Sequence, residues 1–291
     1  MAEAGGEAAP AGALYVCATP IGNLEDITLR VLRVLREADL IAAEDTRHTR
    51  KLLARYEIDT PLVSYREHNE RRQSEALLRA LLAGKNVALV SDAGLPCISD
   101  PGAVIVRTAA AAGIRVDVLP GPSAGLTALV LSGLPAERFI FLGFLPAARS
   151  ARGRELDELE GLPYTLIFYE APHRLAATLG DMAARWPERR AAVTRELTKL
   201  HQEVCQGTLR ELAQRFAAAP ARGECCLLLA PVERTPAPPP AAETVLVRLR
   251  ELTAAGLSGR EARAQIAAEY GLGKKELYRL WLTHAHEKGG G

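Results

Sequence analysis

The sequence predicts an α/β protein with two α/β domains and a small helical C-terminal domain. Three observations predict this fold class. Short uncharged runs such as NVALV and YTLIFY alternate with helical patterns, Gly/Pro-rich loops follow most of these runs, and a Pro-rich stretch precedes the last part of the chain. Strands that alternate with helices imply a parallel sheet whose faces are covered.

The first domain is expected over residues 14–121, after a disordered tail at residues 1–13 that is small and acidic and lacks the basic and apolar regions of a secretory signal. Each strand candidate precedes a Gly/Pro- or Asp/Thr-containing breaker and a helical pattern. In order, the candidates are Leu14–Ala18, Leu40–Ala43, Asn86–Val90 and Arg115–Leu119.

The second domain is expected over residues 122–232, with strand candidates Phe139–Gly143, Tyr164–Tyr169, Ala191–Arg195 and Cys225–Leu229. Residues 233–243 are Pro-rich and predict a semi-rigid linker. Residues 244–285 hold two amphipathic patterns joined by a Gly-containing turn, which predicts a helix-turn-helix-like domain. Ser258 stands where an N-cap is expected.

Composition excludes several classes of protein. The 36 Lys+Arg and 35 Asp+Glu leave a net charge of +1, so contact with nucleic acid must come from local patches. Five cysteines without a C-x-x-C spacing argue against a disulfide framework and a zinc site, and the histidines are too scattered for a metal site. No run is long and apolar enough for a membrane span, so a cytoplasmic location is expected.

Three loops after strands concentrate residues that suit a ligand site: TPIGN, SDAGLPCISDPG and PGPSA. Ligands of open parallel sheets bind outside the carboxyl ends of the strands. The alternative is that Gly, Pro, Asp and Ser only form turns. The dinucleotide fingerprint, the nucleotide-triphosphate loop and the nucleophile elbow are all missing from the sequence.

Three basic patches are candidates for binding RNA phosphates. The first follows a helix cap expected at Asp45 or Thr46 and places cations on one helix face, with a solvated face as the alternative. The second lies in the segment PAARSARGRE, interpreted as a mobile basic loop or else a linker. The third lies in the helical C-terminal domain, interpreted as an RNA-docking module or else a dimer or packing element. Their residues are Arg47, Arg50 and Lys51; Arg149, Arg152 and Arg154; and Lys274 and Lys275.

The motifs together resemble the ribosomal RNA small-subunit methyltransferase I family of the tetrapyrrole methylase superfamily. They are ATPIGNLEDIT, LIAAEDTRHTRKLL, ALVSDAGLPCISDPG, LPGPSA, GFLP, FYEAPHRL and RELTK, in this order between Leu14 and Leu282. The resemblance implies S-adenosylmethionine-dependent 2′-O-methylation of a cytidine ribose in small-subunit (16S) ribosomal RNA. It also implies a homodimer with a cofactor cleft between the two α/β domains, and ribosomal RNA or the assembled small subunit as partner.

Carried over residue by residue, the resemblance places seven positions at the cofactor: Pro20, Gly22, Asp92, Leu95, Ser123, Glu170 and Ala171. Leu95 stands where the family usually has Thr, which removes a hydroxyl beside the expected site. Methyl transfer needs mainly positioning and removal of the 2′ proton. Candidate bases are Asp45 and Glu44, with His48 third, because they follow a strand beside basic residues.

Two rival interpretations remain open from the sequence. The substrate could be a tetrapyrrole or a modified protein side chain, as in relatives within the superfamily. Alternatively, the chain could be a non-enzymatic RNA-binding protein with a vestigial α/β body. The EDTRHT and FYEAPHRL motifs count against the first, and the intact SDAG and PGPSA loops count against the second.

Overall fold

The computed structural model of the protein describes residues 11–232, 241–273, 275 and 277–282. The expected tail at residues 1–13 therefore lies outside the described residues except for its last three positions. Residues 233–240 of the expected linker also lie outside the described residues. So do residues 283–285 of the expected helical domain, and Lys274. The described chain divides into two compact units, residues 1–232 and 233–291.

The first half of the larger unit is built on a five-stranded parallel sheet in the order β3-β2-β4-β1-β5. Its strands are β1 (Ala13–Cys17), β2 (Leu40–Ala43), β3 (Leu62–Ser64), β4 (Val87–Val90) and β5 (Arg115–Leu119). Its helices are α1 (Leu29–Glu37), α2 (Thr46–Arg55), α3 (Glu70–Leu82) and α4 (Ala103–Ala111). Strand β3 is not among the strands predicted from the sequence, because its three residues are half-buried at the sheet edge and therefore carry little hydrophobic signal.

Helices cover both faces of this sheet, as expected for parallel strands. On one face, apolar residues of α1 pack with Leu52 and Leu53 of α2; on the other, Leu77 and Leu81 of α3 pack with Ile105 of α4. The central strand β4 is buried at every position, which explains its uninterrupted apolar sequence.

The second half is built on a mixed sheet in the order β6-β7-β10-β8-β9, in which only β6 and β7 are parallel. Its strands are β6 (Phe139–Phe144), β7 (Thr165–Glu170), β8 (Arg190–Arg195), β9 (Glu203–Thr208) and β10 (Cys225–Leu229). Its helices are α5 (Ala124–Ser132), α6 (Arg149–Glu158), α7 (Pro172–Ala183) and α8 (Leu209–Ala218). Strand β9 is not among the strands predicted from the sequence, because it is an edge strand whose sequence EVCQGT is largely polar.

The smaller unit contains α9 (Ala242–Ala254), α10 (Gly259–Tyr270) and a helical segment at residues 277–282. Helix α9 begins inside the segment predicted as linker. Ser258 caps α10 as predicted: its Oγ accepts from the N–H of Glu261, whose carboxylate in turn accepts from the N–H of Ser258 at 2.9 Å. The three helical segments share an apolar core that includes Leu249, Ile266 and Leu277. Within the described residues, no helix has the length and apolar character needed to cross a membrane.

Candidate active site where the loops of the two sheets meet

The loops after β1 and β4 are joined by direct hydrogen bonds. Thr19 and Gly94 form an isolated bridge, with N–H to O distances of 2.8 and 3.0 Å, and Thr19 Oγ1 donates to the carbonyl of Ser91 at 3.2 Å. Gly94 has a φ of +76°, a conformation that favours glycine. The TPIGN and SDAG motifs therefore form one rigid surface, in which Pro20 is buried.

The TPIGN loop also touches the RELTK segment after β8. A Cβ atom on Gly22 would lie 2.6 Å from the carbonyl oxygen of Leu197, so only glycine fits there. The N–H of Asn23 donates to Oγ1 of Thr198 at 3.0 Å. These contacts bring a loop of the first sheet against a loop of the second sheet.

The far end of the SDAGLPCISDPG loop reaches the second sheet as well. Cys97 and Ser99 have φ angles of +72° and +63°, so this loop holds two non-glycine residues in the left-handed region. Such strain concentrates at functional sites. A Cβ on Gly143 of β6 would lie 3.1 Å from Ser99 Oγ. The pKa of Tyr169 on β7 is raised mainly by burial, with a smaller contribution from the charge of Asp100.

Three carboxyl groups gather where these loops meet. Parallel pairing of β2 with β4 places Glu44 and Asp92 at neighbouring strand ends, and Asp100 lies on the same SDAG loop. Burial and then the Glu44 carboxylate raise the pKa of Asp100 to about 6. Burial and then Asp92 raise the pKa of Glu44. The cluster of Glu44, Asp92 and Asp100 therefore holds more negative charge than the site easily accommodates, which favours a cationic ligand.

Of the other two candidate bases, Asp45 is less suited to accept a proton. Asp45 caps α2 as predicted, accepting from the N–H of Arg47 at 2.8 Å, and pairs with its guanidinium at 3.0 Å. These hydrogen bonds hold the pKa of Asp45 well below its usual range. His48 is exposed on α2. Glu44 is the candidate whose surroundings make it a stronger base.

Two of the residues predicted at the cofactor are N-cap residues of helices. Ser123 is the N-cap residue of α5 but makes no capping hydrogen bond, and the N–H of Gly125 donates to the hydroxyl of Tyr169 at 3.3 Å. Ala171 is the N-cap residue of α7. Leu95 packs against the core of the first sheet. At this position the loop therefore presents its backbone, and not an apolar side chain, to the expected cofactor site.

The Glu170 side chain has partners within the fold, and its contact with the cofactor stays a prediction. Its buried carboxylate accepts from Thr178 Oγ1 at 2.6 Å and from the N–H of Ala171 at 2.9 Å, and lies 3.2 Å from Nε of Arg174. The same arginine donates to the carbonyl of Leu145 at 2.6 Å. Through Arg174, Glu170 thus links the FYEAPHR loop to the GFLP loop.

The prediction that PAARSARGRE is a mobile loop is wrong, because Arg149–Glu158 form α6. Arg152 is only 5% exposed; it donates to Asp181 Oδ2 at 2.9 and 2.7 Å and to the carbonyls of Pro146 and Ala147, so it has no access to RNA. Arg149 is exposed but pairs with Asp181 Oδ1 at 3.0 Å, and Arg154 is exposed. The run of small and charged residues obscured the helical pattern of this segment, in which Leu156 is buried.

The other predicted RNA-binding residues that the structure describes are exposed. Arg47, Arg50 and Lys51 lie on α2 beside the carboxyl cluster, and Lys275 lies in the smaller unit. Among the described residues, no group of three His, Cys, Asp or Glu side chains is arranged to hold a metal ion.

Two residues of the site, Tyr169 and Arg66, are not among those predicted from the sequence. Tyr169 lies on β7 with its ring edge-on to Phe141 at 4.9 Å and Phe144 at 5.7 Å. Nε of Arg66 donates to the carbonyl of Glu44 at 2.9 Å. The available signal for Arg66 was the basic and polar string YREHNERR, but its link to Glu44 depends on the unrecognised strand β3.

Comparison with known proteins identifies the family of the chain. A family model described as tetrapyrrole (corrin/porphyrin) methylases matches residues 13–213. The chain is 44% identical over 273 residues to "Ribosomal RNA small subunit methyltransferase I" of Halalkalibacterium halodurans, covering 93% of this chain and 94% of the relative. It is 45% identical over 272 residues to the protein of the same name from Synechocystis, covering 93% and 98%.

Solved structures share the fold at low sequence identity. Diphthine synthase aligns with a TM-score of 0.59 at 15% identity, covering 75% of this chain and 90% of that one. Uroporphyrin-III C-methyltransferase from Thermus thermophilus, in complex with S-adenosylhomocysteine, aligns with a TM-score of 0.54 at 21% identity, covering 75% and 97%. The chain therefore belongs to the ribosomal RNA small subunit methyltransferase I family, within the tetrapyrrole methylases.

Proposed function

We propose that this methyltransferase transfers a methyl group from S-adenosylmethionine to the 2′ oxygen of a cytidine ribose in small-subunit (16S) ribosomal RNA, in the cytoplasm. The observation that carries the proposal is the carboxyl cluster of Glu44, Asp92 and Asp100, which lies where the two sheets meet and beside the basic face of α2. The relatives named above support ribosomal RNA as the substrate class.

The chemistry of the site fits S-adenosylmethionine. The cofactor carries two positive groups, a sulfonium and an ammonium, and ionised Asp92 and Asp100 would offset them. The first-turn N–H groups of α5, which Ser123 leaves uncapped, suit a carboxylate. Pro20, Gly22, Leu95 and Ala171 would bound the cofactor with backbone and small apolar surface.

The bound sulfonium supplies an electrophilic methyl group, and the protein must hold the ribose hydroxyl in line with it. Glu44 is the proposed base that accepts the 2′ proton. Its raised pKa makes its carboxylate a stronger base than that of an ordinary glutamate. Arg66 holds the Glu44 carbonyl, so the base is carried on a backbone fixed from both sides, by Arg66 and by the Asp45–Asp92 hydrogen bond.

RNA would be held by exposed cations outside the carboxyl cluster. Arg47, Arg50 and Lys51 of α2 would contact phosphates flanking the target nucleotide. The smaller unit, with Lys275 exposed, is proposed as an additional docking module for naked RNA or for the assembled small subunit.

The active protein is proposed to be a homodimer. Helix α5 exposes Leu126 and Val130 one turn apart, at 51% and 78%. The neighbouring edge strand β6 exposes Phe139. Apolar surface of this kind marks protein interaction sites, and a second copy of the chain would cover it.

The deciding experiment is mass spectrometry of small-subunit RNA after incubation with the purified protein and methyl-labelled S-adenosylmethionine. We expect one labelled 2′-O-methylcytidine. Label on a base, or on a tetrapyrrole offered in parallel but not on RNA, would contradict the proposal. Naked RNA and assembled subunits, tested side by side, identify the form of the substrate.

A further inference from the structure

A second basic segment lies beside α2, on the loop that follows β3. Because β3 pairs with β2 in parallel, their carboxyl ends share one edge, and Ala43 is directly opposite Ser64. The link between the two loops is Arg66, whose Nε donates to the Glu44 carbonyl at 2.9 Å and whose Nη2 lies 3.7 Å from Asp45 Oδ1. Arg66 therefore joins the segment that it begins to the start of α2.

An open groove of about 740 Å³ lies along this segment, lined by residues that include His68, Arg71, Arg72 and Val104. Its volume is in the range that accommodates a nucleotide-sized ligand. His68, Arg71 and Arg72 are exposed, so their polar ends are accessible from solvent.

The two arginines of the groove carry charge that no described residue neutralises. Arg71 and Arg72 form no hydrogen bond or ion pair within the part of the chain that the structure describes. They also occupy the first turn of α3, where the helix dipole disfavours cations. A sequence that breaks a local rule in this way does so most often for function.

The adjacent carboxylate of Glu70 does not compensate them. Its Oε1 accepts from the N–H groups of Gly102 and Val104 at 2.9 and 3.3 Å and from the hydroxyl of Tyr65 at 3.2 Å. Glu70 thereby caps α4 and fixes the end of the SDAG loop. The remaining acidic side chain of the groove is exposed Glu67.

We propose that Arg71 and Arg72, with His68, form a phosphate-binding surface that continues the basic face of α2 and holds the backbone of the RNA substrate. This inference rests on the proposed function, because it takes RNA as the substrate class. Guanidinium groups suit phosphate oxygens, which they bind bidentately. Arg66, which precedes these residues, donates to the Glu44 carbonyl, so the surface would direct one strand of RNA to the carboxyl cluster.

The test measures the affinity of the full-length protein for deproteinised small-subunit ribosomal RNA at several salt concentrations, together with KM and kcat for methylation. The double variant R71Q/R72Q should bind RNA about tenfold more weakly. Its affinity should also fall less steeply with salt concentration, as expected for the loss of about one to two phosphate contacts. KM should rise while kcat at saturating RNA and the affinity for S-adenosylmethionine stay unchanged.

Two further variants make the test specific. R79Q/K85Q removes the same charge from the other end of α3 and the loop after it, and should bind RNA like the parent. E67Q removes the opposing carboxylate and should bind RNA more tightly. Equal losses in R71Q/R72Q and R79Q/K85Q would reduce the effect to net charge and overturn the proposal. So would unchanged affinity and salt dependence in R71Q/R72Q.

Failure of this inference is distinguishable from failure of the proposed function. If the parent protein methylates RNA but R71Q/R72Q has the parent's KM, only the groove assignment is wrong. If the parent binds S-adenosylmethionine but modifies no RNA, the proposed substrate is wrong, and this inference with it.

Discussion

The main-chain N–H of Asp45 donates a 3.0 Å hydrogen bond to Oδ1 of Asp92. This bond joins the loop after β2 to the loop after β4, which are 47 residues apart in sequence. It gives Asp92 a structural role, and it fixes the backbone that carries Glu44. Substitutions at Asp92 should therefore affect both the proposed base and the proposed cofactor site.

Glu44 and Asp45 should differ sharply in their importance for catalysis. E44Q should lower kcat by about 10²- to 10⁴-fold, the usual contribution of a general base, with little change in the affinity for S-adenosylmethionine. D45N should lower kcat much less, because Arg47 already holds the Asp45 carboxylate ionised. Single-turnover methylation of small-subunit RNA measures this difference. Parent rates in both variants, with RNA and cofactor bound, would refute a base in this loop.

The affinity for S-adenosylmethionine should depend on pH through Asp100. Because the pKa of Asp100 is raised to about 6, the group is mostly protonated below that pH and ionised above it. A cationic ligand favours the ionised form, so affinity should fall as the pH drops through about 6. Calorimetry between pH 5 and pH 8, spanning about one pH unit or more on each side of the pKa, measures the effect. D100N should bind more weakly and lose most of this pH dependence; a D100N profile parallel to that of the parent would argue against the assignment.

Arg152 should matter for stability and not for RNA binding. R152M leaves the buried Asp181 carboxylate paired with exposed Arg149 and frees the carbonyls of Pro146 and Ala147. Breaking a buried ion pair costs about 3–5 kcal/mol of unfolding free energy. Urea denaturation measures this loss. R154Q, an exposed neighbour on α6, is the control and should change stability by less than about 0.5 kcal/mol.

Removal of the smaller unit should separate RNA docking from cofactor binding. A chain that ends at residue 232 retains the whole larger unit, which has its own cores. It should bind S-adenosylmethionine like the parent but have a higher KM for ribosomal substrate. Filter binding and methylation assays, each on naked RNA and on assembled subunits, test this. Equal KM values would assign the smaller unit a role other than docking.

Val130 should report on the proposed homodimer. V130E puts a charge at the most exposed apolar position of α5 and should convert a dimer to a monomer in sedimentation analysis. L82E makes the same kind of change at an exposed leucine of α3 and should leave the parent's association state. A monomeric parent protein, or a V130E variant that remains dimeric, would place the interface elsewhere or exclude it.

Sequence patterns predicted the buried strands well, because continuous apolar runs such as that of β4 carry their signal locally. The α2 and α10 caps at Asp45 and Ser258 were likewise visible, since capping depends on residues a few positions apart. The edge strands β3 and β9 were not predicted. They are short or polar, because an edge strand is partly exposed to solvent. The antiparallel order of the second sheet also went unpredicted, since it depends on pairing between distant segments.

By itself, the sequence determined the α/β class, the order of the main strands and the loops that carry the chemistry, because all of these follow from local periodicity and turn residues. Tertiary structure alone decided the roles of individual charges. It buried Arg152 against Asp181, used the Glu170 carboxylate inside the fold, and brought Asp100 to Glu44 and Arg66 to Asp45. A charge takes its role from its burial and from partners that are distant in sequence, and only the folded chain brings those partners together.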